Sequence, residues 1–154
     1  MFQQKVNLYP ALGVPGTLSR LNPVTKLPKF AGKGVMAGGF CYSDGKGGNM
    51  TVYGASEDNS ATAVEGFVVM ERFQANLSGK DSLAVNEGEE VAVIKKGFCY
   101  AQLSNYANPN DKVFVNKKTG EMKTGESAGD DEIDTGWIVV TGGDSSMVCE
   151  IACI

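Results

Sequence analysis

The sequence predicts an all-β protein, a jelly-roll-like sandwich or small barrel with an extended N-terminal arm. Three observations carry this prediction. The 154 residues include 20 glycines and 5 prolines, and the longest run free of both, residues 67–78, is 12 residues long. A helix longer than about three turns would therefore hold glycine or proline in its interior, at about 1 or 3 kcal/mol each, so helical bundles and full βαβ crossovers are poor candidates. Short apolar segments separated by turn residues recur from Val35 to the C-terminus, the pattern of small sandwiches and barrels. Finally, four of the five prolines, Pro10, Pro15, Pro23 and Pro28, fall in the first fifth of the chain. A length near 150 residues suits one domain, or one domain with an arm.

The first 34 residues are read as that arm, and residues 35–154 as the β-rich domain. Proline and glycine interrupt Leu8, Tyr9, Leu12 and Val14, so the segment cannot build its own core. Its apolar side chains favour packing against its own domain or a neighbour over a solvated tail. Residues 35–42 then form a first strand, and a glycine-rich loop at 44–49 leads to a second at 50–53. Residues 63–72, with Val64, Phe67, Val68, Val69 and Met70, are too continuously apolar for one exposed face and are placed centrally in the sheet system. A short helix at 73–77 is a minor alternative.

The clearest strand is residues 90–95, where Val91 and Val93 face one way and Ala92 and Ile94 the other. After Gly97, residues 98–103 are read as a return strand. Gly97, Phe98, Cys99 and Tyr100 repeat Gly39, Phe40, Cys41 and Tyr42 at a spacing of 58 residues, which raises the possibility of two equivalent strands entering one core. Residues 112–116 and 121–124 form a hairpin, with Val113 and Val115 on one face, Phe114 on the other, and Gly120 supplying the positive φ of the turn. The polar, acidic stretch 125–134 is read as a surface loop. Residues 137–140, a turn at 142–144 and residues 147–154 close the chain as a terminal hairpin.

Composition narrows the chemistry. With no histidine and a formal charge of −4 from 14 basic and 18 acidic residues, histidine-dependent triads and most zinc hydrolase sites are excluded. Broad attraction to nucleic acid or anionic membrane is likewise not expected, although Lys117 and Lys118 are a local basic pair. There is no signal-peptide pattern and no run of 18 apolar residues, so neither export nor a membrane span is expected. Cys149 and Cys153, on one strand face about 13 Å apart, are too distant for a disulfide or a shared metal. With Cys41 and Cys99, they are read as buried free thiols.

Asp130, Asp131, Glu132 and Asp134 lack the ligand series of a calcium loop and are read as a solvated loop. Asp58, Glu65 and Glu71 are dispersed, and a pairing of carboxylates by folding, as a glycoside hydrolase requires, is not visible in one dimension. The glycines at 32, 34, 38 and 39, and at 45, 47 and 48, lack a phosphate-binding fingerprint. Trp137 with Tyr100 or Tyr106 offers a saccharide platform, but a strand aromatic beside valines is more often core. No catalytic, cofactor-binding or metal-binding residue is therefore assigned, and no enzyme activity is expected.

Particular residues carry a resemblance. Tyr9, Pro10, Ala11, Leu12, Gly13, Val14, Pro15 and Gly16, followed by Asn22 and Pro23, resemble the opening of the structural cement, or head decoration, proteins of tailed double-stranded DNA bacteriophages. Gly39 and Phe40, Gly66 to Val68, Lys118 to Gly120, Gly136 and Trp137, and Glu150 to Ala152 look like the β domain of the same family. Cys41 and Cys99 depart from the small or aromatic residues expected there. The resemblance implies a β-rich virion protein that forms a small homo-oligomer, a dimer or trimer, on the outer capsid surface. There it cements neighbouring major capsid proteins, without catalytic residues or cofactors. It implies synthesis in the host cytoplasm and no direct contact with nucleic acid or membrane. Residues 2–23 are then expected to cross to another subunit or to the capsid. The alternatives are a glycoside hydrolase with paired carboxylates and a carbohydrate-binding module.

Overall fold

The computed structural model describes residues 13–43, 50–70, 83–145 and 147–154. Among these residues there are nine strands and no helix. They are β1 (Thr25–Ala31), β2 (Phe40–Ser43), β3 (Thr51–Tyr53), β4 (Gly66–Val69), β5 (Glu90–Gln102), β6 (Lys112–Asn116), β7 (Met122–Gly125), β8 (Glu132–Thr141) and β9 (Val148–Cys153).

Five strands close a small barrel. β1 pairs in parallel with β3 and antiparallel with β5, and β3–β2–β4–β5 completes the circuit. Its interior holds Ala31, Cys41, Val52, Val68, Val91 and Val93, small side chains that suit the narrow bore of so few strands. Lys29, on the face of Ala31, lies 3.6 Å from Glu65 Oε1, and Lys95 Nζ lies 3.2 Å from the same oxygen. The carboxylate thereby compensates the burial of Lys29.

β5 runs on beyond the barrel. At Gly97, whose φ is +145°, it passes into a second sheet ordered β5–β9–β8–β6–β7. The main core fills the space between this sheet and the barrel wall, joining Phe40, Phe67 and Ile94 to Val113, Val115, Trp137, Val139 and Ile151. Trp137 is 2% exposed, with its ring 5.9 Å from Phe40 and 5.8 Å from Phe67 between centroids. Each fully buried aliphatic or aromatic side chain contributes about 1.5–3 kcal/mol.

The alternation at 90–95 appears as expected: Val91 and Val93 line the barrel while Ala92 and Ile94 face the main core. The hairpin at 112–125 also appears, with Gly120 at φ +79° and Val113 and Val115 in the core. Four expectations are corrected. Residues 90–102 are one strand and not a strand and its return, because Gly97 bends the chain without reversing it. The segment read as an arm through residue 34 contains β1, which pairs with β5 from Thr25↔Lys96 to Phe30↔Glu90. Pro28 is tolerated there because β3 pairs only with Phe30 and Ala31 of this strand, so its missing N–H breaks no ladder on that side. The stretch read as a loop through residue 134 ends earlier, since β8 begins at Glu132. The first strand is shorter than residues 35–42, with β2 starting at Phe40.

The repeated tetrapeptides are not equivalent, because Cys41 points into the barrel and Cys99 into the main core. The minor helix at 73–77, the loop at 44–49 and the first twelve residues lie outside the described residues.

Candidate functional site: the docking track of the N-terminal segment

The segment before β1 is bound along the outer half of β5. Residues 14–17 read Val-Pro-Gly-Thr, the order of a type II turn, with proline at its second position and glycine in the left-handed region at its third. Gly16 has φ +84°, and the Thr17 amide donates to the Val14 carbonyl at 3.2 Å. The Thr17 hydroxyl donates to the same carbonyl at 2.7 Å. A Cβ on Gly16 would lie 2.9 Å from the Gly38 backbone nitrogen, so the turn fits against the barrel only without a side chain.

From this turn the chain adds itself to the sheet. The Gly16 amide donates to the Tyr100 carbonyl at 3.0 Å, the Tyr100 amide to the Thr17 carbonyl at 3.0 Å, and the Ser19 amide to the Phe98 carbonyl at 3.0 Å. Leu18 bridges Cys99 and packs on the main core. The Met70 amide, just past β4, donates to the Gly16 carbonyl at 2.7 Å. Without this segment, residues 98–100 would present an open strand edge.

Side chains fasten the track at Glu150. The Ser19 hydroxyl donates to Glu150 Oε1 at 2.7 Å and Arg20 Nε at 3.0 Å. The Thr141 hydroxyl donates to Oε2 at 3.3 Å. The Arg20 guanidinium lies 4.3 Å from the centre of the Phe98 ring, adding a cation–π contact. Glu150 is 8% exposed, and these three donors satisfy a carboxylate that would otherwise be costly to bury. At the head of the track Gly13 lies on the Tyr100 ring, where a Cβ would collide with it.

The opposite edge of the second sheet is closed by the chain itself. Asn105 Nδ2 donates to the Thr124 carbonyl at 2.9 Å while the Thr124 amide donates to Asn105 Oδ1 at 2.9 Å. The Ser104 amide donates to the Met122 carbonyl at 2.9 Å. The amide side chain thus takes the place of a neighbouring strand on β7.

The acidic cluster weighed as cation-binding serves elsewhere. Asp131 pairs with Lys118 at 3.2 Å, Glu132 with Lys123, and Asp134 with Lys112 at 3.6 Å. They tie the start of β8 to the β6–β7 hairpin and are not gathered round one cleft. Asp130 lies exposed in the preceding turn, and Glu71 lies outside the described residues. Among the described residues no group of three or more acidic or thiol side chains is placed to hold a metal ion. Trp137 is core and Tyr100 is covered by Gly13, so neither forms a saccharide platform, whereas Tyr106 is exposed.

All four cysteines are free. Burial pushes the Cys41 and Cys99 thiols up to about 12, with the Glu65 charge adding to the effect at Cys41. Burial also raises the Cys149 thiol. These thiols are protonated at neutral pH and poor nucleophiles.

Reading the residues one by one does not reveal the Glu150 fastening. The available signal is a single carboxylate within the apolar strand Val148–Cys153, which demands a partner once the strand is buried. The partners, Ser19 and Arg20, are separated from it by 131 and 130 residues.

Comparisons with known proteins agree with this architecture. A family model described as structural cement protein (E217 gp24/Pam3 gp6) matches residues 2–153. No curated protein matches. A chain in the solved structure of the capsid of Myoviridae phage XM1 is similar in fold, with a TM-score of 0.67 and 16% identity, covering 99% of this chain and 96% of that one. The head fiber gp8.5 N base of bacteriophage phi29 is similar at a TM-score of 0.50 and 10% identity, covering 86% of this chain and 95% of that one. With the family model spanning nearly the whole sequence, the chain belongs to the phage structural cement protein family, whose role is to decorate and cement the capsid.

Proposed function

We propose that the protein sits on the outer surface of a bacteriophage head as a homo-oligomer, a dimer or trimer, bridging neighbouring major capsid proteins without enzymatic activity. The N-terminal segment is the fastener. The observation that carries this reading is the docked track at residues 16–20, which anchors the segment to its own domain through β5 and Glu150. Residues 2–12, with Phe2, Leu8, Tyr9 and Leu12, then have apolar side chains to offer a neighbouring subunit. Association of this kind gains apolar burial and main-chain hydrogen bonds at the cost of ordering the segment.

Deleting residues 2–12 while keeping the track tests the fastener. The truncated chain should fold with an unchanged thermal midpoint and occupy purified capsids at a lower level than the full chain. Unchanged occupancy at limiting protein concentration contradicts the proposal. A dimer or trimer in sedimentation supports the oligomeric reading, and a monomer on and off the capsid overturns it.

A further inference from the structure

We propose that the groove between the barrel and the β6–β7 hairpin receives residues 2–12 of a second copy of this chain, so that paired subunits exchange their N-terminal segments. The inference rests on the fastening reading above and deepens it by naming the receiving surface and its occupant.

The groove has a volume of about 420 Å³, room for a few apolar side chains. Phe40, Leu103 and Met122 line it and belong to the main core, so the groove reaches one end of that core. Leu83 and Met36 add to its apolar lining. Met36 is 43% exposed, and covering it with an apolar partner is favourable. Its unbranched side chain adapts to an irregular surface.

The course of the chain directs its own segment elsewhere. Cys99 points into the main core, so Tyr100 stands on the opposite face of β5. Gly13 lies on the Tyr100 ring, whereas Pro15, beyond it in the turn, is one of the groove's lining residues. The turn at residues 14–17 thus sets residue 13 on the face away from the groove while leaving the groove beside the point of departure. Twelve extended residues reach about 40 Å, enough to enter the groove of a facing subunit. Under a two-fold axis each subunit fills the groove of the other, and the exchange closes.

Charge and composition match this occupant to the groove. Phe2, Val6, Leu8, Tyr9 and Leu12 are apolar, and Lys5 is the single charged side chain of residues 1–12. Glu121 is the single charged side chain among the groove's described lining residues. It is exposed and makes no ion pair among the described residues. An apolar segment with one cation therefore meets an apolar groove with one unpaired carboxylate, a complementarity that also sets the register of docking.

The test uses the full-length protein without capsids, so its result is independent of capsid attachment. Photoreactive benzoylphenylalanine replaces Tyr9, isotopically heavy and light chains are mixed, and crosslinked peptides are mapped by mass spectrometry. Heavy-to-light crosslinks should join position 9 to residues 36–40 or 119–122. Met36→Asp, at an exposed position, should lower their yield about tenfold. Lys5→Glu and Glu121→Lys should each lower it about threefold, as loss of an exposed ion pair does, and the two together should restore it. The proposal is overturned if crosslinks form only within one chain, if heavy-to-light crosslinks map away from the groove, or if the double charge reversal fails to restore the yield. Absence of heavy-to-light crosslinks, combined with reduced capsid occupancy on deleting residues 2–12, overturns exchange between copies while leaving the fastening reading intact, with the capsid as the occupant's destination.

Discussion

The two halves of β5 belong to one strand but have different neighbours. Residues 90–96 lie inside the barrel circuit, flanked by β1 and β4, with Val91 and Val93 in one core and Ala92 and Ile94 in another. Residues 97–102 have β9 on one side and, over residues 98–100, the N-terminal segment on the other. The first half is held by strands that also hold one another. The second is completed by a few main-chain bonds and the Glu150 cluster, interactions that stand apart from the barrel core. Local stability therefore differs along one strand, and the weaker half is the one that carries the docked residues 16–20.

The largest expected effect comes from breaking what both halves share. Phe67 packs between the barrel wall and Trp137. Phe67→Ala should cost about 3–5 kcal/mol, lowering the denaturant midpoint and increasing amide exchange in both halves together. A smaller, polarised effect is expected at Glu150. Replacing it with alanine removes the acceptor of Ser19, Arg20 and Thr141, at a local cost of about 1–3 kcal/mol. Exchange of the Tyr100 and Ser19 amides should then rise by about tenfold or more, with little change at residues 91–94. Equal acceleration in both halves would show that the track is integral to the barrel.

Gly97 is the joint between the halves. Gly97→Ala forces a side chain into φ +145°, which should destabilise by about 1–3 kcal/mol and is read by thermal unfolding. At the far edge of the sheet, Asn105→Ala should cost about 1 kcal/mol and expose the edge of β7. Concentration-dependent association in light scattering is the expected sign. The smallest effect concerns pH. The Lys123 hydrogen bond, aided by the Gly129 amide, holds the Glu132 carboxyl below its ordinary value. Its contribution is therefore full above the unfolded carboxylate value and is lost as pH falls through the lower folded value. Lys123→Met should flatten that part of the acid unfolding profile.

These contrasts also explain what the sequence conveys. The hairpin at 112–125 is legible because Val113 and Val115 alternate with Phe114 and because Gly120 marks the turn. Residues 90–95 are legible for the same reason, their two faces meeting two cores. The continuity of β5 is not, since a glycine with positive φ inside a bent strand leaves the same trace as one in a turn. β1 is hidden by Pro28, whose place becomes acceptable only once β3 is seen to stop short of it. The early start of β8 is hidden by Glu132 and Asp134, whose charges look solvated until Lys123 and Lys112 are brought across from neighbouring strands. The docking track is barely legible: Val-Pro-Gly-Thr carries the signature of its turn, which the reading of residues 1–34 as an extended arm passes over, and the pairing of Ser19 and Arg20 with Glu150 depends on long-range topology that no local pattern encodes.

The most direct test of the fastening account is an electron cryomicroscopy reconstruction of the phage head that carries this chain. The account predicts density for the β domain on the outer capsid surface, residues 16–20 along their own β5, and residues 2–12 continuing across a subunit boundary onto a neighbour. A domain on the inner surface, or residues 2–12 packed wholly against their own β domain, would contradict it.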